Sequence, residues 1–118
     1  MIGYFSMNDI EHVEQEGRKD DQTKLPLHLL PFDAISEISK VLAFGAGKYE
    51  ARNWEKGMAW HRPFSACLRH LWAWWLRRGP DPETGISHLA HAGCCILFLI
   101  AYELRGVGTD DRPGLPKA

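Results

Sequence analysis

The 118 residues, 45% hydrophobic and 25% charged, suffice for a single domain with a modest core and leave little room for a second. A formal net charge of -1 gives no general attraction to nucleic acid or anionic membrane; nucleic acid is an unfavoured partner, with only a local basic patch left open to it. Cys67, Cys94 and Cys95 are odd in number and two are adjacent, and the opening MIGYFSMNDIEHVEQEG lacks the basic and apolar regions of a signal peptide. The expected setting is a reduced cytoplasm. The longest apolar run, CCILFLIAY, falls far short of the roughly 20 residues that span a bilayer, so no membrane partner is expected.

In chain order, residues 1–31 are polar and punctuated by proline, which predicts an N-terminal arm without a fold of its own. A first helix is predicted over 32–44, because Phe32, Ile35, Ile38 and Leu42 recur at helical spacing, Pro31 suits the first turn, and Gly45 and Gly47 interrupt the pattern. Asp33, Glu37 and Lys40 share its opposite face and point to water or to a site. The stretch GAGKYEARNWEKGMAWHRP has no period and is rich in turn formers, so it reads as a long connection of the kind that lines a site.

A second helix is predicted over 63–78. Phe64, Cys67, Leu68, Leu71 and Trp75 form its apolar stripe, while Arg62, Ala66, Arg69, Ala73 and Arg77 make a small, basic face. After the break GPDPETG, Asp81 followed by Pro82 signals a helix start, and a third helix is predicted over about 83–104. It is apolar nearly all round, as a helix surrounded by others must be. The tail, 106–118, is too polar and proline-rich to pack and is expected to be loose. The chain as a whole is expected to be one domain, with its arm at 1–31, helical core at 32–105 and tail beyond.

Chemistry concentrates on the third helix. His88, His91, Cys95 and Tyr102 project within about 60° of one another, and two imidazoles three residues apart can share one metal ion. They can equally be core histidines with hydrogen-bond partners. Asp81 and Glu83 lie just before this helix and His70 on the preceding one, so carboxylate and imidazole groups can converge; as plain structure, the two acids would cap the helix instead. Lys48, Arg52, Arg62, Arg69 and Arg77 offer cations near a connection containing Asn53, Trp54 and Trp60, as a ligand bearing phosphate and a base requires. Each tryptophan can stack on a base or staple the connection to its surroundings.

With these residues in view, the run from RKDDQTKLPLHLLP through GAGKYEARNW, the pair Arg69 and His70, DPETG and HLAHA resembles a phage family of MazG-like proteins, the dATP/dGTP diphosphohydrolase type. Four such pieces in order, covering residues 18–105, are far more specific than any one alone. The resemblance implies a small all-α bundle completed by oligomerisation into a dimer or tetramer. It implies a metal-dependent hydrolase that cuts a purine (deoxy)nucleoside triphosphate, such as dATP or dGTP, to the monophosphate and pyrophosphate with Mg2+ or Mn2+. If the chain is phage-encoded, its place is the host cytoplasm.

By position, the resemblance assigns Glu37, Arg69 and His70 to catalysis, and Lys48, Tyr49, Asn53, Trp54 and Arg69 to the substrate. Glu37, Glu83, His88 and His91 are the implied metal ligands, with two arrangements open: the histidines hold the ion directly, or they contact phosphate while Glu37, Asp81 and Glu83 hold it. The wider superfamily uses carboxylates in ExxE and ExxxD patterns, and here HLAH stands in place of the second. The alternatives are a non-catalytic helical oligomerisation module, which would bind no divalent ion, and a nucleic-acid-binding module using Arg62, Arg69 and Arg77, whose affinity would depend on salt.

Overall fold

The computed structural model of the chain describes residues 17–114. The first half of the expected arm and the last residues of the expected tail lie outside that range. The chain divides into two units, Met1–Leu30 and Pro31–Ala118. In the first, the described residues hold a 3-10 turn at Leu27–Leu29. The second contains three helices, α1 (Phe32–Lys48), α2 (His61–Trp75) and α3 (His88–Arg105), with a 3-10 turn at Asn53–Lys56 between α1 and α2. Among the described residues there is no strand, only an isolated parallel bridge between Ala59 and Thr109. The fold is a small all-α bundle in which α3 packs on both α2 and α1.

The helix α1 starts where expected but runs a full turn further, through Gly45, Ala46 and Gly47 to Lys48. Glycine in a helix interior costs about 1 kcal/mol relative to alanine but causes no clash, so two of them weaken the helix without stopping it. It ends at Tyr49, whose N–H donates to the Gly45 carbonyl at 2.8 Å. The helix α3, in contrast, begins five residues later than expected. Its N-cap is Ser87, whose side chain accepts from the Leu89 N–H, and Gly106 closes it in the left-handed conformation. The Asp81 carboxylate caps a turn instead: Oδ1 accepts from the N–H groups of Glu83 at 2.9 Å and Thr84 at 3.1 Å.

The packing turns most of the expected apolar stripe of α2 outward, and of its members Cys67 alone is buried. The buried residues of the helix are Pro63, Cys67 and Ala73, whereas Phe64, Leu68, Trp72 and Trp75 stand 54%, 50%, 62% and 70% exposed. The side that turns inward carries Pro63, Cys67 and Ala73 with the half-buried His70, and small side chains permit close approach of two helices; Ala90, Ala92 and Cys94 of α3 are buried as well. On the other side of α3, a Cβ added at Gly93 would come within 2.8 Å of the Ile38 side chain of α1. Among the described residues the one large side chain buried completely is Tyr102, whose hydroxyl donates to the Trp54 carbonyl at 2.6 Å. The outer side of α3 still exposes Ile96, Leu97, Ile100 and Leu104, so this helix is not surrounded by the described residues.

The tail is ordered as far as residue 112, contrary to expectation. Trp60 N–H donates to the Thr109 carbonyl and Thr109 N–H to that of Met58, the Trp60 indole N–H donates to Val107 at 2.9 Å, and Asp111 pairs with His61. Gly57 and Gly108 make this pairing possible: both have positive φ, and a Cβ on either would strike the backbone of the other strand of chain. Polar residues near a chain end pack when a neighbouring backbone offers hydrogen-bond partners, which a composition argument does not register. No helix among the described residues is long and apolar enough to cross a membrane.

Candidate functional site

Three histidines meet where the start of α3 faces the middle of α2. The Nδ1 atoms of His70 and His88 are 2.8 Å apart, and His70 stacks on His91 with ring centroids 4.6 Å apart and planes inclined by 17°. The α3 helix supplies His88, which is buried, and His91, one turn on, which is half-buried. The loop between the helices supplies Asp81, and ligand atoms of His70, Asp81 and His88 all lie within 4.8 Å of one another. That loop is closed on itself, with Asp81 N–H donating to Ile86 and Gly85 N–H to Asp81. Thr84 links it to the cluster: its hydroxyl is 2.7 Å from His91 Nε2 and accepts from the Ile86 N–H.

Burial holds both His70 and His91 below the ordinary histidine pKa. For His70 the neighbouring His91 and His88 act in the same direction; for His91, Asp81 opposes the shift. Burial would raise the Asp81 pKa, but the N–H groups of Thr84 and Glu83, with His91 and His70 nearby, bring it below the usual carboxylate value. The result is an ionised carboxylate facing imidazoles that keep their lone pairs. Such a donor set fits a divalent cation, because ligands must be deprotonated before they can bind one.

A half-open cleft of about 260 Å³ adjoins this cluster, with Gly45 and Ala46 of α1 among its lining residues. Around it stand Lys48, Tyr49, Asn53, Trp54, Glu83, Thr84 and His91. Of the residues expected at a site, the structure therefore brings Lys48, Tyr49, Asn53, Trp54, Glu83 and His91 to one concavity, and joins His70 and His88 to it through the His91 stack. Lys48 Nζ lies 3.0 Å from Glu83 Oε2, a bond that raises the Lys48 pKa. The Trp54 ring is already engaged, stacked on Phe98 at 4.6 Å and covered by the Arg105 guanidinium, so it staples the connection to α3. Tyr49 is 63% exposed, with the Lys48 ammonium 5.4 Å from its ring centroid.

Glu37 and Arg69 are placed elsewhere. Glu37 pairs with Lys40 on the outer side of α1. Arg69 bonds Ser65 at 3.0 Å on an exposed face of α2 that borders Met58, His61, Arg62 and Cys95 rather than the cleft. Sequence reasoning passed over Thr84. The available signal was its position three residues after Asp81, which suits a turn closed by the aspartate carboxylate. Cys94 and Cys95 adjoin the site on α3, but burial pushes their thiols up to about 12 and about 11, so both stay protonated near neutral pH. A larger groove, about 430 Å³, lies between α2, α3 and the C-terminal segment. Its walls, chiefly Phe64, Ile96, Leu99 and Ile100, are apolar, and the histidine cluster is not part of it.

The fold and this site define a small all-α domain with an imidazole and carboxylate cluster beside a lysine-edged cleft. The chain belongs to the family described as dATP/dGTP diphosphohydrolase, N-terminal, whose model matches residues 14–112. Over 96 residues it is 35% identical to a dATP/dGTP diphosphohydrolase of Salmonella phage PMBT28, a match covering 81% of this chain and 33% of that relative. The chain thus spans about a third of the length of the relative it matches. No solved structure matches.

Proposed function

We propose that this chain hydrolyses a purine (deoxy)nucleoside triphosphate of the dATP or dGTP kind to the monophosphate and pyrophosphate, with a divalent ion, Mg2+ or Mn2+. The observation that carries the reading is the convergence of Lys48, Tyr49, Asn53 and His91 on one cleft, beside the cluster of His70, Asp81 and His88. The name of the phage relative supports the substrate class. The cluster would hold the ion, whose charge neutralises the triphosphate and polarises the phosphorus under attack.

The chain's own residues supply the rest. Lys48 leaves Glu83 for the phosphates, a better partner because they carry more charge. Tyr49 offers a face to the base, and Asn53 hydrogen-bonds the base or sugar. The cleft is smaller than the roughly 300 Å³ at the low end for ligand pockets, so it takes the nucleoside end while the phosphates reach over the histidines. Water attacks the α-phosphorus, the bond from that phosphorus to the α,β-bridging oxygen breaks, and pyrophosphate leaves with the electron pair. The proton of the water passes to neutral His91 at Nδ1, the ring nitrogen that Thr84 leaves free.

The test is a panel of the common NTPs and dNTPs with Mg2+ or Mn2+, in which pyrophosphate is detected separately from orthophosphate. Pyrophosphate release from purine substrates is the expected result. Orthophosphate alone, or no turnover with any member of the panel, sinks the reading. A second feature of the function rests on α2, whose large apolar residues Phe64, Leu68, Trp72 and Trp75 are exposed. A second copy covering that face would complete the bundle, as a dimer or a tetramer.

A further inference from the structure

We infer that His70, Asp81 and His88 bind a single first-row divalent ion that accepts nitrogen ligands, Mn2+ or a heavier neighbour such as Co2+ or Zn2+, in preference to Mg2+. Neighbouring donors around an ion with bonds of about 2.1 Å stand roughly 3.0 to 3.4 Å apart. The Nδ1 atoms of His70 and His88 are already 2.8 Å apart, so seating an ion asks them to part by a few tenths of an ångström. Asp81 completes a triangle within 4.8 Å.

Each donor is held by groups behind it. The His70 ring is fixed by its stack on His91, and His88 is buried in the first turn of α3. The bonds from Glu83 and Thr84 to Asp81 all fall on Oδ1, which orients the carboxylate and leaves Oδ2 outside that set. Support of this kind behind the ligands is what sets metal affinity in built sites.

The choice of ion follows from donor chemistry. Mg2+ seeks oxygen ligands and retains water, whereas imidazole suits the transition ions. Two of the three donors here are imidazoles. Among the described residues neither Glu37 nor Glu83 belongs to the converging group, and with no nucleotide bound they pair with Lys40 and Lys48. The inference deepens the hydrolase reading and rests on it for what the ion is for, while binding itself is measurable with no nucleotide present.

Chelator-treated protein is titrated with Co2+ alone, followed by the visible absorption of the bound ion and by calorimetry, with Mg2+ and Mn2+ titrated in parallel. One Co2+ per chain is expected, with Mg2+ weaker by on the order of 100-fold. Asp81→Asn, which keeps an oxygen acceptor for the loop N–H groups, and His70→Gln should each weaken Co2+ binding by at least about 10- to 100-fold, with helix content unchanged in circular dichroism. Equal affinity for Mg2+ and Co2+ overturns the inference. So does retention of Co2+ by both variants while Glu37→Gln or Glu83→Gln loses it. Stoichiometric Co2+ binding lost in Asp81→Asn, with no turnover of any triphosphate, upholds the site and removes only the hydrolase reading.

Discussion

His70 and His88 face each other through their Nδ1 atoms at 2.8 Å across the α2–α3 contact, although eighteen positions of sequence separate them. Two ring nitrogens at that distance share one proton, so one donates and the other accepts. With His91 stacked on His70, adding a second charge to the cluster would place like charges side by side in a half-buried site, where they repel strongly. A packing histidine needs one or two hydrogen-bond partners. Three imidazoles and a carboxylate gathered at the edge of a cleft are more than packing requires.

His91→Ala therefore separates turnover from folding. Loss of a group that takes a proton in the transition state should lower kcat by about 10²- to 10⁴-fold, while α3 keeps its Ser87 cap and its helix content. Steady-state pyrophosphate release and far-ultraviolet circular dichroism are measured on the same sample. Near-parental kcat in a folded variant assigns His91 to packing.

Lys48→Gln addresses the cation at the cleft edge. A hydrogen bond to a charged group contributes about 1.5 to 3 kcal/mol, so its loss should raise KM for the triphosphate by roughly 10- to 100-fold. If Lys48 acts on the leaving group instead, kcat falls and KM holds. An unchanged kcat/KM removes Lys48 from the site.

How much of this was legible in the sequence depended on the range of the interactions. The three helices came from periodicity, which is local, and so did the gathering of His88 and His91 on one face of α3. Lys48, Asn53 and His70 were legible as residue types near one another in the expected fold, and the family resemblance added Tyr49. What periodicity could not supply was direction: a stripe of Phe64, Leu68 and Trp75 reads as core-facing, yet α2 buries Pro63, Cys67 and Ala73, because which side of a helix meets its neighbour is set by residues distant in sequence. The start of α3 was misplaced because Asp81 caps its own turn as readily as a helix, and only the closure of the loop onto Ile86 decides between them. The docking of the tail depends on Trp60 and Thr109, far apart in the chain.

The tail is also predicted to detach in acid. The Arg112 hydrogen bond brings the Asp110 carboxyl down to about 2, and hydrogen bonding to His61 lowers that of Asp111. A depressed carboxylate contributes stability above its unfolded pKa, near 4, and that contribution is lost as pH falls through the folded value. Between about pH 4 and pH 2 the indole N–H resonance of Trp60, which reports its bond to Val107, should broaden or shift before the helical circular dichroism signal falls. A signal from Trp60 that survives to the pH of global unfolding refutes the assignment. Asp111→Asn should move the transition toward neutral pH.

The last prediction concerns the outward stripe of α2. Phe64, Leu68, Trp72 and Trp75 are all at least half exposed, and Ile96, Ile100 and Leu104 of α3 add to the apolar surface. Contiguous apolar surface on this scale marks an interface more often than a solvated face. The stripe lies on a regular helix and is self-similar along it, which suits a twofold contact between identical copies. Light scattering at micromolar concentration should give at least twice the mass of the chain. Leu68→Glu with Trp72→Glu places charges in the middle of the stripe, where a desolvated carboxylate is costly, and should yield a monomer with its helices retained. Because the two side chains are exposed in the single chain, the substitutions leave the core of Cys67, Ala73, Ala90 and Tyr102 untouched. A parent protein that scatters as a monomer rules out the interface. An oligomer that survives the double substitution transfers the contact to another face, with the outer side of α3 next in order.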